Sequence, residues 1–345
     1  MIPRLPIVLY FILFILGCTD EHNPKPYPLV ELQGNGLGTT WSVKILTKQI
    51  FKTEELRNDI IQKLEDTEKI FSHWRRDAAL YQFNTAQTTS PISLHPQLLA
   101  LLKHAQWVNL QSDGAFDPTL APVVNLWGFG PVGKTRTTLP TDKQINETLS
   151  STGIKNIELL PTGLVRKKVP TLQLDFSGSA KGEIIDQTCA LLERWNFKNY
   201  LVEIGGEVRA HGKGKNGKGW VVGLENGGAN QDSLEPVTLR NYAVATSGTY
   251  RLKKPNPKTK HSASHLMNPR TGRPIDHALI AVNAFAPTAK NADAWATALM
   301  ILGPKEGMKK AEQLDMVARF CTYLNGEISI AFSPAYKRLY QKGIQ

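Results

Sequence analysis

Apolar residues recur at helical spacing in four segments of the chain. Leu56, Ile60, Leu64 and Phe71 fall on one face of a helix expected from about Thr53, with Glu54 and Glu55 in its first turn. Pro96 opens a second, with Leu98, Leu99, Leu102 and Ala105 turned inward and an end near Gly114. A third is expected from about Lys181 to Trp195 and a fourth from about Ala292 to Leu302. Strand-like runs lie at Thr40–Ile45, Thr171–Asp175, Tyr200–Ile204, Trp220–Leu224, Tyr242–Thr246, Leu279–Ala286, Val317–Leu324 and Glu327–Phe332. They come in consecutive groups joined by hairpin-like turns such as Asn325-Gly326. That order predicts an α+β fold of mixed, largely antiparallel sheets with packed helices, and not a doubly wound parallel sheet. No G-x-G-x-x-G follows any of these strand-like runs, so the dinucleotide fingerprint is absent.

The first residues follow another pattern. Arg4 precedes an apolar run from Leu5 to Leu16 that is short for a membrane span, and Ile15-Leu16-Gly17-Cys18 closes it. Residues 1–17 read as a lipoprotein signal peptide, with Cys18 as the lipidated first residue of the mature chain. Residues 18–33 read as a tether, polar and proline-bearing from Thr19 to Pro28, and 34–340 as one domain without internal linkers or repeats. The expected location is a bacterial cell envelope, facing the periplasm from the inner or outer membrane.

The chain has 41 Lys and Arg against 30 Asp and Glu, a net charge of +11 that falls to +10 once the leader takes Arg4 away. Such a surplus favours anionic partners: nucleic acid, an acidic membrane surface or a phosphate-bearing ligand. No zinc finger, RNP-like aromatic pair or helix-turn-helix cue is present, so no nucleic acid is expected as partner. The run Lys213-Gly214-Lys215-Asn216-Gly217-Lys218 reads as a solvated hairpin tip, and Arg251-Leu252-Lys253-Lys254 is a second Lys-rich stretch. Cys189 and Cys321 lie in apolar segments and read as buried thiols, with a disulfide as the alternative.

Candidate chemistry centres on Leu172-Gln173-Leu174-Asp175-Phe176-Ser177-Gly178-Ser179-Ala180-Lys181-Gly182, where an apolar run ends in a carboxylate and a turn of small residues leads into a helix. Small residues admit a ligand close to the backbone, a helix N-terminus offers unpaired N–H groups to an anion, and Lys181 adds a positive charge. Asp293 and Thr297 stand four apart on a helical segment, so both project from one face. A carboxylate and a hydroxyl are hard oxygen ligands, suited to Mg²⁺, although a helix cap and a packed threonine have the same spacing.

Gly114-Ala115-Phe116-Asp117-Pro118-Thr119, the Lys181 segment, Glu203-Ile204-Gly205-Gly206-Glu207, Thr246-Ser247-Gly248-Thr249, Ser264-His265-Leu266-Met267-Asn268-Pro269-Arg270-Thr271-Gly272 and Ala292-Asp293-Ala294-Trp295-Ala296-Thr297 follow in order. Together they resemble the ApbE family of flavin transferases over about Gly38 to Ser333. The resemblance implies a T-fold-related domain. It also implies transfer of FMN from FAD to a Ser or Thr hydroxyl of an acceptor protein, with release of AMP and with Mg²⁺ as cofactor. By the same resemblance Asp293, Thr297 and the Gly178 carbonyl bind the metal. Leu37, Trp74, Ala115, Phe116, Asp117, Asp175, Lys181 and Met267 would contact FAD. Lys181 is the expected phosphate charge partner, and His265 the group that takes the acceptor's proton near neutral pH; a structural histidine at the Pro269 turn is the other reading. Phe116 and Met267 equally fit a plain core. The expected partners are FAD, acceptor proteins of membrane redox complexes, and the membrane through the lipid anchor.

Three positions depart from the family pattern: Leu37 stands where methionine is usual, an apolar swap expected to be tolerated, and Thr249 and Asn268 stand where aspartates are usual. An FAD pyrophosphatase yielding FMN and AMP, and a non-catalytic FAD-binding lipoprotein, are the competing readings.

Overall fold

The computed structural model describes residues 27–132, 138–227, 234–249, 253–254 and 263–341. Cys18, residues 1–17 and most of the tether, and Arg251-Leu252 lie outside the described residues. β1 (Leu29–Gly36) and β2 (Thr39–Leu46) form a hairpin, followed by α1 (Thr53–Phe71), α2 (Ala79–Thr85) and α3 (Pro96–Gln111). Next come α4 (Ala121–Leu126), α5 (Asp142–Ser150) and the short pair β3 (Ile157–Leu159) and β4 (Val165–Lys167). After α6 (Ala180–Arg194) the chain builds β5 (Tyr200–Ile204), β6 (Glu207–His211), β7 (Trp220–Leu224), β8 (Glu235–Leu239) and β9 (Tyr242–Gly248). Two small ladders, β10 (Lys253–Lys254) with β11 (Ala263–Ser264) and β12 (Met267–Asn268) with β13 (Arg273–Pro274), precede β14 (Leu279–Ala286). The last elements are α7 (Ala289–Gln313), β15 (Val317–Leu324), β16 (Glu327–Phe332) and α8 (Pro334–Gln341).

Eight strands make one sheet in the order β1-β2-β5-β6-β9-β14-β15-β16, antiparallel at every step. The α+β expectation holds. Alternation along each strand gives the sheet two apolar faces. Val43, Val202, Ala245, Val282 and Phe320 point into the main core with residues of α1, α3, α6 and α7. Leu201, Val208, Val244, Phe285 and Val317 point the other way, under Trp220 and Leu239 of the β7–β8 hairpin and Tyr336 of α8.

The antiparallel order also sorts the sheet's two ends. At one end the β1–β2 turn, with Leu37 and Gly38 at φ 57° and 71°, meets the β5–β6 turn at Gly205, where a Cβ would lie 3.2 Å from Thr39. β6 starts and β9 stops at this same end. At the other end lie Leu46, Tyr200, His211 and Tyr242.

Four expectations need correction. Thr171–Asp175 belongs to no sheet: the Leu174 N–H and C=O both bond the Asn84 side chain, at 2.7 and 2.8 Å, which replaces a partner strand. The tether assigned to 18–33 overlaps β1, which pairs with β2 from Leu29 onward. The fourth helix starts at Ala289 instead of Ala292; it ends at Leu302 as expected, where the non-helical Gly303 breaks α7, and a second helical stretch runs on to Gln313. Gly212-Lys213-Gly214-Lys215-Asn216-Gly217 does follow a strand, β6, but it runs into β7 and not into a helix, so it lacks the dinucleotide-site geometry. Cys189 and Cys321 are both buried and free, as thiols, and burial raises the pKa of each.

Candidate active site

The site forms where α6 and α7 begin. Gly182, in the first turn of α6, lies so close to α7 that a Cβ there would come within 2.3 Å of the Ala289 carbonyl oxygen. This approach lets the Gly182 N–H donate to Asp293 Oδ2 at 3.0 Å, so a helix N-terminal amide holds a carboxylate that is only 3 % exposed. Asp186, one turn along α6, accepts from the Ala289 and Lys290 N–H groups at 2.9 and 3.0 Å and from Arg209 at 2.7 Å. The two helix starts are therefore clamped by carboxylates. Burial pushes the Asp293 carboxyl up to about 7; Lys181 opposes the shift and Glu207 adds to it.

Around Asp293 the expected partners converge. A Cβ at Gly178 would stand 2.8 Å from Thr297 Oγ1 and 3.2 Å from the Phe116 ring, so Gly178, Thr297 and Phe116 meet with no room for a side chain. Thr297 Oγ1 also lies 3.2 Å from Ser247 Oγ at the end of β9. Lys181 Nζ pairs at 2.6 Å with Glu207 Oε1, whose residue is 2 % exposed at the start of β6. Among the described residues no group of three or more His, Cys, Asp or Glu converges on one point. Asp293, Thr297, Ser247 and a glycine turn make an oxygen-donor set of a different kind, which matches a hard cation.

The other candidates divide. Asp175 Oδ1 accepts from the Ser177 N–H at 2.8 Å and lies 3.4 Å from His73 Nδ1, and the Asp175 N–H donates to Pro118 O at 2.7 Å, which draws the Asp117–Pro118 segment beside it. Asp117 is committed locally: Oδ1 takes Thr119 N–H and Oγ–H, and Oδ2 takes Ile154 N–H at 3.3 Å, while burial raises its pKa. Ala115 is buried, Trp74 is half exposed beside His73, and Leu37 packs on the main core in the hairpin turn. Met267 is buried with Leu120 and Val123, next to Phe129, and the His265 ring stands 6.4 Å from the Phe129 ring. A small open cleft, lined among others by His73, Tyr81, Asn125, Gln173 and Asp175, adjoins this group.

Sequence reasoning missed four participants: Glu207, Asp186, Ser247 and His73. Glu207 and Ser247 stood inside motifs already singled out. What hid their roles is that they act across strands far apart in sequence from Lys181 and Thr297.

The frame is an antiparallel α+β protein with oxygen donors and a lysine gathered where two helices begin. Residues 37–320 match the ApbE family model. The chain belongs to the ApbE family. An FAD:protein FMN transferase of Vibrio cholerae is 34 % identical over 308 residues, covering 89 % of this chain and 90 % of that protein. That of Haemophilus influenzae is 34 % identical over 324 residues, covering 91 % and 92 %. The solved flavin transferase ApbE from Vibrio cholerae superposes with a TM-score of 0.83 at 32 % identity, covering 91 % of this chain and 99 % of that one. The apo flavinyl transferase ApbE of Pseudomonas stutzeri gives 0.84 at 30 % identity, covering 91 % and 98 %.

Proposed function

We propose that this chain is an FAD:protein FMN transferase that moves FMN from FAD to a Ser or Thr hydroxyl of an acceptor protein. The observation that carries this reading is the meeting of Gly178, Phe116 and Thr297 beside Asp293 and Lys181, on a frame shared with proteins of that name. The acceptor's hydroxyl oxygen forms a bond to the FMN phosphorus, the pyrophosphate P–O bond breaks, and AMP leaves with the electron pair. Gly178, Asp293 and Thr297 are the residues that would hold Mg²⁺, which neutralises pyrophosphate charge when bound. Lys181, held by Glu207, meets the charge that builds on the phosphoryl oxygens. His265 takes the acceptor's hydroxyl proton. Asp175, with Trp74, Phe116 and the neighbouring cleft, receives the flavin nucleotide.

In the same reading Cys18 carries the lipid and the domain faces the periplasm, where acceptor proteins are exposed subunits of membrane redox complexes. The Gly17-Cys18 junction after an apolar run supports it.

The test is incubation of the purified protein with FAD and Mg²⁺, with and without an acceptor domain, following AMP release and in-gel flavin fluorescence. Acceptor fluorescence abolished by EDTA is expected. AMP and free FMN without labelling of several acceptors would make it a pyrophosphatase, and FAD binding without either product would make it a carrier.

A further inference from the structure

The sheet's far end, opposite the site, carries more cations than anions: its acidic neighbours are Glu193, which accepts from Tyr200 Oη at 2.8 Å, Glu31, paired with Lys44, and Asp59, which accepts from Trp195 Nε1. Lys48, Lys198, Lys213, Lys215, Lys218 and Arg240 are all exposed there, and none makes an ion pair among the described residues. Backbone bonds gather them. Leu46 N–H donates to Asn199 O at 2.9 Å, Lys213 N–H to Asn199 Oδ1 at 2.7 Å, and Gly212 N–H to Asn241 Oδ1 at 2.9 Å. The Gly214–Gly217 turn, closed by a 2.9 Å bond, then throws Lys215 and Lys218 outward. The segments 194–202, 208–224 and 236–249, which shape this end together with 41–53, contain no Asp or Glu, and neither does 41–53.

Apolar side chains stand among the cations. Ile50 is 99 % exposed and Tyr27 53 %, with Lys48 Nζ 5.0 Å from the Tyr27 ring centre. The chain's N-terminal segment enters here as well, since Thr47 N–H bonds Pro28 O at 3.2 Å just before β1. Residues 19–26 span at most about 30 Å even when fully extended, so whatever holds Cys18 is held near this face. A cluster of four to eight basic residues beside an anchoring segment, with an exposed aliphatic and a tyrosine between them, has the composition of an interfacial lipid contact.

We propose that this cationic end docks on an anionic phospholipid bilayer and so sets the orientation of the enzyme. β9 runs from Tyr242 at this end to Ser247 at Thr297, roughly 16 Å of strand. Docking therefore turns the α6–α7 site away from the lipid, toward acceptors that stand off the membrane. This goes beyond the lipid anchor, which tethers the chain but leaves its facing open.

The full-length protein would be reconstituted with vesicles of pure phosphatidylcholine, or of phosphatidylcholine with 30 % phosphatidylglycerol as about the anionic content of the probe. Amine labelling of Lys213, Lys215 and Lys218 would then be read by mass spectrometry. Flotation on the neutral vesicles reports the anchor alone. The docking face predicts labelling of the three lysines reduced at least threefold on the anionic vesicles and restored by 0.5 M salt, about where charge screening reaches a few ångströms. Lys213→Ser, Lys215→Ser and Lys218→Ser should each weaken charge-dependent binding about fivefold, with FAD turnover unchanged. Equal labelling on both vesicle types, or protection by RNA or an acidic protein but not by anionic lipid, would overturn the proposal.

Discussion

His277 Nε2 lies 3.0 Å from the carbonyl oxygen of Met300. In an unbroken helix that carbonyl would accept the N–H four residues on, but residue 304 is proline and has none. A carbonyl only accepts, so the proton sits on Nε2 and the imidazole replaces the missing donor. Gly303 completes the break at φ 81°, ψ −177°, with room for a Cβ only 3.0 Å from the His277 ring. α7 thus stays buried on both sides of a bend, with Asp293 and Thr297 on the segment before it. His277→Ala should cost about 1–2 kcal/mol in urea denaturation. Gln, which also carries an N–H donor, should recover part of that loss.

Burial lowers the His277 pKa, so the folded protein prefers the neutral ring. An unfolded chain takes that proton first as pH drops. The contribution is full above the ordinary histidine value of about 6.5 and shrinks below it, down to the lowered native value. His104 is shifted the same way and will share in the slope. Unfolding free energies at pH 5 to 8 should therefore fall less steeply toward acid in His277→Gln than in the wild type. An identical slope would mean that another group carries the effect.

Gly178→Ala tests the crowding at Thr297. The new methyl would lie 2.8 Å from Thr297 Oγ1, closer than a Cβ is found, and a tight 3.2 Å from Phe116 Cε2. Something must move, and each neighbour belongs to the site. Turnover with FAD and Mg²⁺ should drop at least tenfold, while the melting temperature shifts by only a few degrees, about the effect of 1 kcal/mol. A variant with full turnover would show that the turn has slack the geometry does not suggest.

Long periodic elements were legible in the sequence because one buried face dictates their period. Leu279–Ala286 and Val317–Leu324 appear with the expected bounds, and α1 starts at Thr53. The Lys181 turn and the Asp293–Thr297 pair stood out only through the resemblance to the ApbE family, since local spacing alone fits an ordinary strand-to-helix turn and a capping aspartate with a packed threonine. What escaped were partners fixed by tertiary contact: Asn84 standing in for a strand beside Leu174, and Glu207 reaching Lys181 from across 26 residues. β1 was missed because Leu29–Gly36 is an edge strand of mostly polar or small residues, and only its pairing with β2 reveals it.

Lys181 and Glu207 should not be equivalent in their removal. Lys181→Met leaves the 2 % exposed Glu207 without its 2.6 Å partner, and should cost about 2 kcal/mol, less than a fully buried pair because the lysine side chain is 36 % exposed. Glu207→Gln leaves Lys181 partly in water and should cost less. Joining the two changes should restore much of the stability and none of the turnover, since the lysine charge proposed to meet the phosphate is gone. Denaturation and AMP release, measured on the same three proteins, separate the structural from the chemical role of the pair.

Asp293 gives the sharpest contrast between stability and activity. Its folded pKa is raised from 3.8 to about 7 by burial, so in metal-free protein the carboxyl favours folding below 3.8 and loses that contribution as pH rises through 7. The ionised form is what a hard cation needs, and a bound cation would offset the cost of the charge. In EDTA, wild-type stability should therefore fall between pH 5 and pH 8 relative to Asp293→Asn, which keeps an acceptor for the Gly182 N–H and cannot ionise. At pH 8 the asparagine variant should melt higher than the wild type without metal, and Mg²⁺ should raise the wild type alone. Turnover should be lost in the variant despite its stability. If Mg²⁺ raised both melting temperatures equally, the ion would be binding elsewhere, and Asp293 would be a capping residue of the α6–α7 junction.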